Sequence, residues 1–300
     1  MLNQLHKGEN QVETADQNLP EYVYRAFELV YYGGGFERKI EDFAQRWDGL
    51  DAIAFERAVR EGEGNEKIIA IFALGSLRPP NVQEMLAPLL QSPVRMERWA
   101  SAIALGHLHD ERALPVLHTI LQYEALLPVM EPLTDESMCY LCYREIIVSL
   151  LAGWEDLSSI PILHAALKAA WGRELQLLAN PPSYAKFNLV PFWQTYQYTL
   201  AYALGQLGVY GALTDIPFLD SRRRILMIYL ALGYLGVEQK DIFTKMGKES
   251  LKKDVAKALE RLFGLSEAEQ HICLVHFGND YFREGAMESQ PMDFDETEGE

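Results

Sequence analysis

The sequence has few cysteines, no excess of positive charge and no apolar run long enough to cross a bilayer. Three cysteines in 300 residues are an odd count and do not indicate a disulfide framework. A net charge of −16 counts against a broad nucleic-acid interface, which requires clustered lysine and arginine. The longest apolar runs fall short of the roughly 20 residues of a membrane-spanning helix, and no signal peptide is evident. We therefore expect a cytoplasmic protein that binds neither nucleic acid nor membrane.

The acidic charge is concentrated at the two ends of the chain. Residues 1–21 carry a net charge of −3 and residues 288–300 carry −6, which leaves −7 on everything between them. Both ends also lack apolar periodicity. We predict disordered acidic segments at 1–19 and 288–300 and a folded region over residues 20–287.

The tripeptide Ala-Leu-Gly recurs four times, each time near the end of an apolar segment with helical period. Its glycines are Gly75, Gly106, Gly205 and Gly233, and a degraded copy ends at Gly153. Leu follows two residues after each of the four glycines. Gly75 and Gly106 are 31 residues apart, and Gly205 and Gly233 are 28 apart. This period predicts stacked helical hairpins of about 30 residues, none of which can bury its apolar face alone.

A second motif, Pro-x-Leu, follows the first in the same order. It begins at Pro88, Pro115, Pro161 and Pro217. Each chemical feature suits a hairpin: glycine allows close helix approach or a left-handed cap, Asp110 can cap the second helix, and proline is tolerated in the first turn. The sequence therefore predicts an all-α, right-handed α-solenoid of about seven helical pairs.

One repeat resembles a known family closely. Residues 93–122, PVRMERWASAIALGHLHDERALPVLHTILQ, resemble the HEAT-like repeats first associated with phycobilisome lyases. The resemblance extends more loosely over about residues 64–260, and it implies a fold rather than a particular function, because such solenoids mostly bind other macromolecules. The matching residues are Val94, Arg95, Ala102, Ala104, Leu105, Gly106, Asp110, Ala113, Leu114, Pro115 and Leu117.

Two insertions interrupt the repeats, at residues 123–137 and 172–192. Both contain proline and apolar residues. Insertions in a solenoid gather on one face, which is often the binding face. Alternatively, they cover an irregular step in the stack.

A polar residue follows Pro-x-Leu in each repeat. His118 and His164 hold this position in two repeats, and Gln91 and Asp220 hold it in the flanking ones. Stacked in register, the four would form a polar row on the inner helices. Neighbouring helices stand about 8–10 Å apart, too far for two of these histidines to share a metal ion. The row is either a partner contact or a set of solvated side chains.

Arginines and aromatic residues supply the other candidate contacts. Arg222, Arg223 and Arg224 open a helix, where the macrodipole disfavours cations, so Arg223 and Arg224 are predicted to meet an acidic partner. Lysines over residues 245–257 add a basic patch, which could attract a partner, the acidic segment of this chain, or only solvent. Trp193 and Tyr196 lie in an aromatic segment in which we expect one or two exposed rings to contact a partner. Much of the segment must still be core.

Two short motifs could suggest metal binding. His107-x-His109-Asp110 lies in a turn without a distant partner, and Asp110 is already explained as a cap. Cys139-x-x-Cys142 lacks a second pair and lies on an apolar helix, which favours buried thiols. We expect neither a metal ion nor a cofactor.

No phosphate loop, nucleophile elbow or paired metal-ligand motif indicates catalysis. Deoxyhypusine hydroxylase-like repeat proteins carry His-Glu dipeptides, and this chain has none. Alkylbase DNA glycosylases on helical repeats need a basic groove. The favoured function is a non-catalytic protein–protein interaction scaffold or adaptor that holds a protein segment on its concave face or inserted loops. The alternative, implied only by the repeat subtype, is a bilin or tetrapyrrole lyase-like, chromophore-handling factor.

Overall fold

The computed structural model describes most of the chain and contains α-helices, short 3₁₀ turns and no strand within the described residues. No helix in this part is both long and apolar enough to cross a membrane. The chain divides into two compact units, residues 1–114 and residues 115–300, which we call unit one and unit two. The described residues are 20–31, 36–123, 135–179, 190–213, 220–238, 241–246, 248–275 and 277.

Unit one packs around an aromatic cluster and two almost fully buried helices. Phe43 lies 5.7 Å from Phe27 and 5.3 Å from Phe55 between ring centroids, and all three are buried. The fourth and sixth helices carry the first two Ala-Leu-Gly copies and are buried along most of their length. The helices are α1 (Glu21–Glu28), α2 (Glu37–Trp47), α3 (Ala52–Glu61), α4 (Gly64–Leu77), α5 (Val82–Leu86) and α6 (Arg95–His107).

Polar contacts join successive repeats of unit one at the repeat spacing. Lys67 on α4 lies 3.3 Å from the carboxylate of Glu97 on α6, and the hydroxyl of Ser92 donates to the same carboxylate at 2.6 Å. Arg78, just after α4, donates to the carbonyl oxygen of His107 at the end of α6. Because Glu97 is buried, removing Lys67 would leave its carboxylate without a compensating charge, which costs more than breaking an exposed ion pair.

Unit two continues the hairpins with longer helices. α10 packs against α8, α9 and α11, and α11 in turn packs against α13. The helices are α7 (Leu114–Gln122), α8 (Asp135–Gly153), α9 (Ile160–Ala179), α10 (Val190–Gln206), α11 (Asp220–Tyr234), α12 (Ile242–Lys245), α13 (Glu249–Phe263) and α14 (267–275).

Three repeat glycines, Gly75, Gly205 and Gly233, serve close approach and not capping. A Cβ on Gly75 would lie 2.7 Å from the Cβ of Ala104 on the neighbouring helix, a distance that real Cβ atoms essentially never show. The left-handed residue comes later, at Gly208 and Gly236, three positions after the repeat glycines of α10 and α11. Arg78, His109 and Glu155 take that conformation in the earlier repeats. The expectation that the repeat glycine itself adopts the left-handed cap is wrong.

The turn that follows the left-handed residue is capped by aspartate. Asp110 Oδ1 accepts a hydrogen bond from the backbone N–H of Arg112 at 3.1 Å, and Asp156 Oδ1 accepts one from Ser158 at 3.0 Å. Each cap begins a 3₁₀ turn that runs directly into the next α-helix, with Pro115 or Pro161 as its second residue. The predicted roles of Asp110 and of proline in the first turn are confirmed.

The predicted fold class, an all-α solenoid, is confirmed. Within the predicted insertion at 172–192, the first eight residues are helical because α9 continues to Ala179, and the last three belong to α10. Glu174 on this extension is buried, as is Trp171 just before it, which shows that the helix still has a packing face there. The predicted disordered segments at 1–19 and 288–300 lie outside the described residues, as does most of the insertion at 123–137.

Candidate functional site: the arginine groove

Arg223 and Arg224, two of the predicted contact residues, line an open groove in unit two. Its volume is about 470 Å³, within the range of roughly 300–1,000 Å³ typical of ligand pockets. The groove lies among residues 210–211, α11, the end of α13 and α14. We call it the arginine groove, and its other lining residues are Tyr210, Gly211, Met227, Leu262, Phe263, Leu265, Glu269, Ile272 and Cys273.

Local sequence signals orient α14 along the groove. Gly264 ends α13 in the left-handed conformation, at a φ of 67°. Ser266 and Glu269 then form a reciprocal capping box: the backbone N–H and hydroxyl of Ser266 donate to Glu269 Oε2 at 2.9 and 2.7 Å, and the Glu269 N–H donates back to the hydroxyl. Glu269 and Cys273 are four residues apart on α14, so both face the groove.

The groove contains two guanidinium groups and one carboxylate. The pKa of Glu269 is lowered by its hydrogen bonds with Ser266 and, to a smaller extent, by the positive charge of Arg224. Burial raises the pKa of the Cys273 thiol, so this side chain is a neutral part of the lining at physiological pH. Among the described lining residues, Arg223 and Arg224 outnumber Glu269, so their formal charges sum to +1, whereas the whole chain carries −16.

Aromatic and apolar side chains form the rim. Tyr210 and Ile272 are 36% and 40% exposed, which is high for large apolar side chains. Tyr210 makes an edge contact with Tyr234 at 5.4 Å between ring centroids, and the guanidinium of Arg261 lies 5.5 Å from the Tyr234 ring. A third cation therefore lies next to the groove, at its aromatic edge.

The expectation that Trp193 and Tyr196 expose rings to a partner is wrong. Trp193 is 6% exposed and Tyr196 is fully buried. Both rings pack on the guanidinium of Arg144, whose Cζ lies 4.3 Å from the Trp193 ring centroid and 4.0 Å from that of Tyr196. A buried cation uses the same aromatic faces that a partner would use at an interface, and the sequence could not distinguish these two roles.

A buried carboxylate lies on α9, which packs against α10, the helix that carries Trp193 and Tyr196. Glu174 on α9 accepts hydrogen bonds from the side-chain amides of Gln194 at 2.9 Å and Gln197 at 2.8 Å, both on α10. Sequence reasoning missed Arg144 and Glu174. The signal for Arg144 was available, because it lies four residues after buried Tyr140 and three before buried Ile147, on the apolar stripe of α8.

His118 takes part in an intramolecular contact. Its Nε2 lies 2.7 Å from the hydroxyl of Ser159 and 3.4 Å from Oδ2 of Asp156, so it connects α7 to the turn that begins α9. Burial raises the pKa of Asp156, but hydrogen bonds from Ser159 and Ser158 outweigh this effect, and the pKa lies below its usual value. His118 is half-buried in this arrangement.

The structure describes the other three residues of the predicted polar row to different extents. His164 on α9 is half-buried, Gln91 in unit one is exposed, and Asp220 is the first residue of α11, with a side chain outside the described set. The row as a binding surface remains a prediction.

The remaining motifs do not form a metal site in the described residues. No group of three potential ligands occurs among them. The Asp110 carboxylate is bonded to the guanidinium of Arg112, and the side chains of Cys139 and Cys142 lie outside the described set. In the basic patch, Lys245 is paired with Asp241 at 2.6 Å, so its charge is already compensated.

Comparison with known proteins supports the repeat assignment. Residues 53–127 match the family described as HEAT repeats. No curated protein and no solved structure matches this chain. The matched region contains the repeat glycines Gly75 and Gly106, and it supports a HEAT-like repeat protein. Repeats of this kind are commonly protein-interaction scaffolds. The similarity to the phycobilisome-lyase subtype remains a prediction.

Proposed function

We propose that this protein is a non-catalytic interaction module that binds an acidic, partly apolar segment of a partner protein in the arginine groove. The arginine groove itself is the observation that carries the proposal. It combines guanidinium groups with apolar lining on a repeat architecture that commonly binds proteins.

The charges of the groove favour carboxylates. Guanidinium groups form bidentate hydrogen bonds with carboxylates, and these bonds are stronger than those between neutral groups. Arg223 and Arg224 are consecutive on α11 and diverge by about 100° around a helix, so they present their charges to two different points of a bound chain. Glu269 opposes a uniformly acidic ligand, which favours carboxylates placed near the arginines and apolar side chains placed elsewhere.

The apolar lining of the groove explains why the proposed ligand also carries apolar side chains. Tyr210 and Ile272 expose large apolar surfaces at the rim, and Leu262 and Phe263 extend the apolar lining of the groove. Side chains buried against such surfaces contribute roughly 25 cal/mol for each Å² removed from water. A ligand that carried only carboxylates would leave this apolar lining exposed to water.

Peptide binding tests the proposal. We would titrate the full chain with fluorescein-labelled ten-residue peptides that contain only acidic residues, only apolar residues, or both in alternation, and record fluorescence anisotropy. We expect the mixed peptides to bind most tightly and the Arg223→Glu/Arg224→Glu variant to bind them more than tenfold more weakly. The Lys248→Glu/Lys253→Glu variant, which reverses two exposed charges outside the groove, should change the affinity less than twofold at physiological salt. Equal binding by the groove variant and the unaltered chain would refute the proposal.

The predicted alternative, a tetrapyrrole-handling factor, has a different signature. An absorbance spectrum of the protein purified from its native host would show a visible or near-ultraviolet band if a bilin or porphyrin were bound. Such a band, lost on denaturation and extraction, would overturn the assignment as a pure protein-interaction module. Binding at the inserted segments or on the concave face would instead give peptide affinities that are independent of Arg223 and Arg224.

A further inference from the structure

We infer that the acidic segment of this chain, residues 288–300, occupies the arginine groove and must be displaced by a partner. This inference rests on the groove being the binding surface proposed above. The segment lies outside the described residues. Its composition, its connection to the described chain and the chemistry of the groove support this occupancy.

The composition of the segment matches the ligand that the groove favours. It carries six carboxylates and no basic side chain, so it complements Arg223, Arg224 and the neighbouring Arg261. Its two large apolar residues, Met292 and Phe294, alternate with acidic residues in the sequence Met-Asp-Phe-Asp-Glu. An extended chain places alternate side chains on opposite sides, so the apolar pair would face the lining residues of α13 and α14 while the flanking carboxylates reach the arginines of α11.

The acidic segment is connected to the described residues at a point from which it can reach the groove. Phe277 is buried against Tyr229 of α11 at 5.6 Å between ring centroids, and Tyr229 lies two residues after Met227, which lines the groove. Residues 278–287 connect this point to the acidic segment, and ten residues span up to about 33–36 Å. The whole of α11 is about 22 Å long, so the connector can turn back to the groove.

Attachment makes even weak binding effective. A segment on a short connector is presented at an effective concentration of about 1 mM. If its intrinsic Kd were about 100 µM, it would fill roughly nine-tenths of the grooves and weaken a competing partner peptide about tenfold. The segment would therefore set a threshold that only a tighter or more concentrated acidic partner exceeds.

Photo-crosslinking in the full chain tests the location directly. With Phe294→p-benzoylphenylalanine, irradiation and mass spectrometry should identify crosslinks to Met227, Leu262, Phe263 or Ile272 within one chain. The crosslinks should disappear in the Arg223→Glu/Arg224→Glu background and persist in the Lys248→Glu/Lys253→Glu background. Crosslinks at other residues of the same chain, or only between chains, would overturn the inference.

A second variant leaves the described residues unchanged. Asp293→Asn/Asp295→Asn/Glu296→Gln neutralises the centre of the segment, and we expect the full chain that carries it to bind the mixed peptide probe about tenfold more tightly. Unchanged affinity would overturn the inference while leaving the groove as a peptide-binding surface. Crosslinking in the groove without any binding of added peptides would instead retain the segment as occupant and refute the proposed partner function.

Discussion

Replacing Gly233 with alanine should separate α10 from α11. A Cβ at this position would lie 3.0 Å from the carbonyl carbon of Tyr202 and closer still to its oxygen. Helix backbone cannot rotate aside as a flexible side chain can, so the two helices must move apart. Overpacking of this kind costs about 1–3 kcal/mol, whereas alanine gains only about 0.5–1 kcal/mol over glycine within a helix. We expect the free energy of unfolding to fall by about 1–2 kcal/mol.

The measurement is urea unfolding followed by far-ultraviolet circular dichroism, with the midpoint compared at constant slope. Gly153→Ala is the matched control, because no atom lies within 4 Å of a Cβ built there, and its stability should stay unchanged or rise by up to about 1 kcal/mol. Gly205→Ala meets the backbone of Leu230 across the same interface, so its effect should not add fully to that of Gly233→Ala. A stable Gly233→Ala variant, or an equally damaging Gly153→Ala, would refute the reasoning.

Two further predictions concern charged side chains. Arg112 hydrogen bonds lower the pKa of Asp110, so this carboxylate stabilises the fold above its unfolded pKa, and the contribution is lost as pH falls through the folded pKa. Asp110→Asn keeps a capping oxygen, and we expect it to cost about 1 kcal/mol at neutral pH and almost nothing in strong acid, by thermal melts at several pH values. Arg144→Lys should cost about 1–3 kcal/mol in urea unfolding, because an ammonium cannot stack on Trp193 and Tyr196 as a guanidinium does.

Two control substitutions make the same exchanges of side chain at exposed positions. They show how much of each loss comes from the exchange itself and how much from the contacts of Asp110 and Arg144. Asp254→Asn alters the same functional group as Asp110→Asn, and Arg57→Lys repeats the exchange made at Arg144. Both should remain within about 0.5 kcal/mol of the unaltered protein. A loss at Asp110 that persists in strong acid would show that the cap geometry, and not the ion pair, carries the effect.

The repeats were predictable because each one needs the same residue types at the same places. Gly75 and Gly233 lie where two helices touch, and Pro115 and Pro161 lie in first turns, as the motifs predicted. What the motif could not distinguish was the reason for glycine. A missing Cβ serves both a close helix contact and a left-handed cap, and only the backbone angle at Gly236, three residues later, separates the two.

The groove was only half predictable. Three cations in the first turn of α11 stood out because they oppose the helix dipole, which led to Arg223 and Arg224. Glu269 and Cys273 join them from about 45 to 50 residues further along the chain, by tertiary packing that no local pattern encodes. The prediction for Trp193 is wrong for a different reason. The aromatic composition of its segment correctly indicated a contact, but the cation that Trp193 contacts is Arg144 of the same chain.

The groove lies where the repeat loses its glycine. On α13, Ala258 and Leu259 match the first two residues of the Ala-Leu-Gly motif, but the third position is Glu260, which is exposed. A glutamate at that position cannot make the tight helix contact that Gly233 makes with α10. Consistent with this, α13 contacts α11 much less extensively than α10 does. One side of α11 is thereby closed by a glycine contact and the other left partly open, and the open side is where Arg223 and Arg224 meet apolar lining.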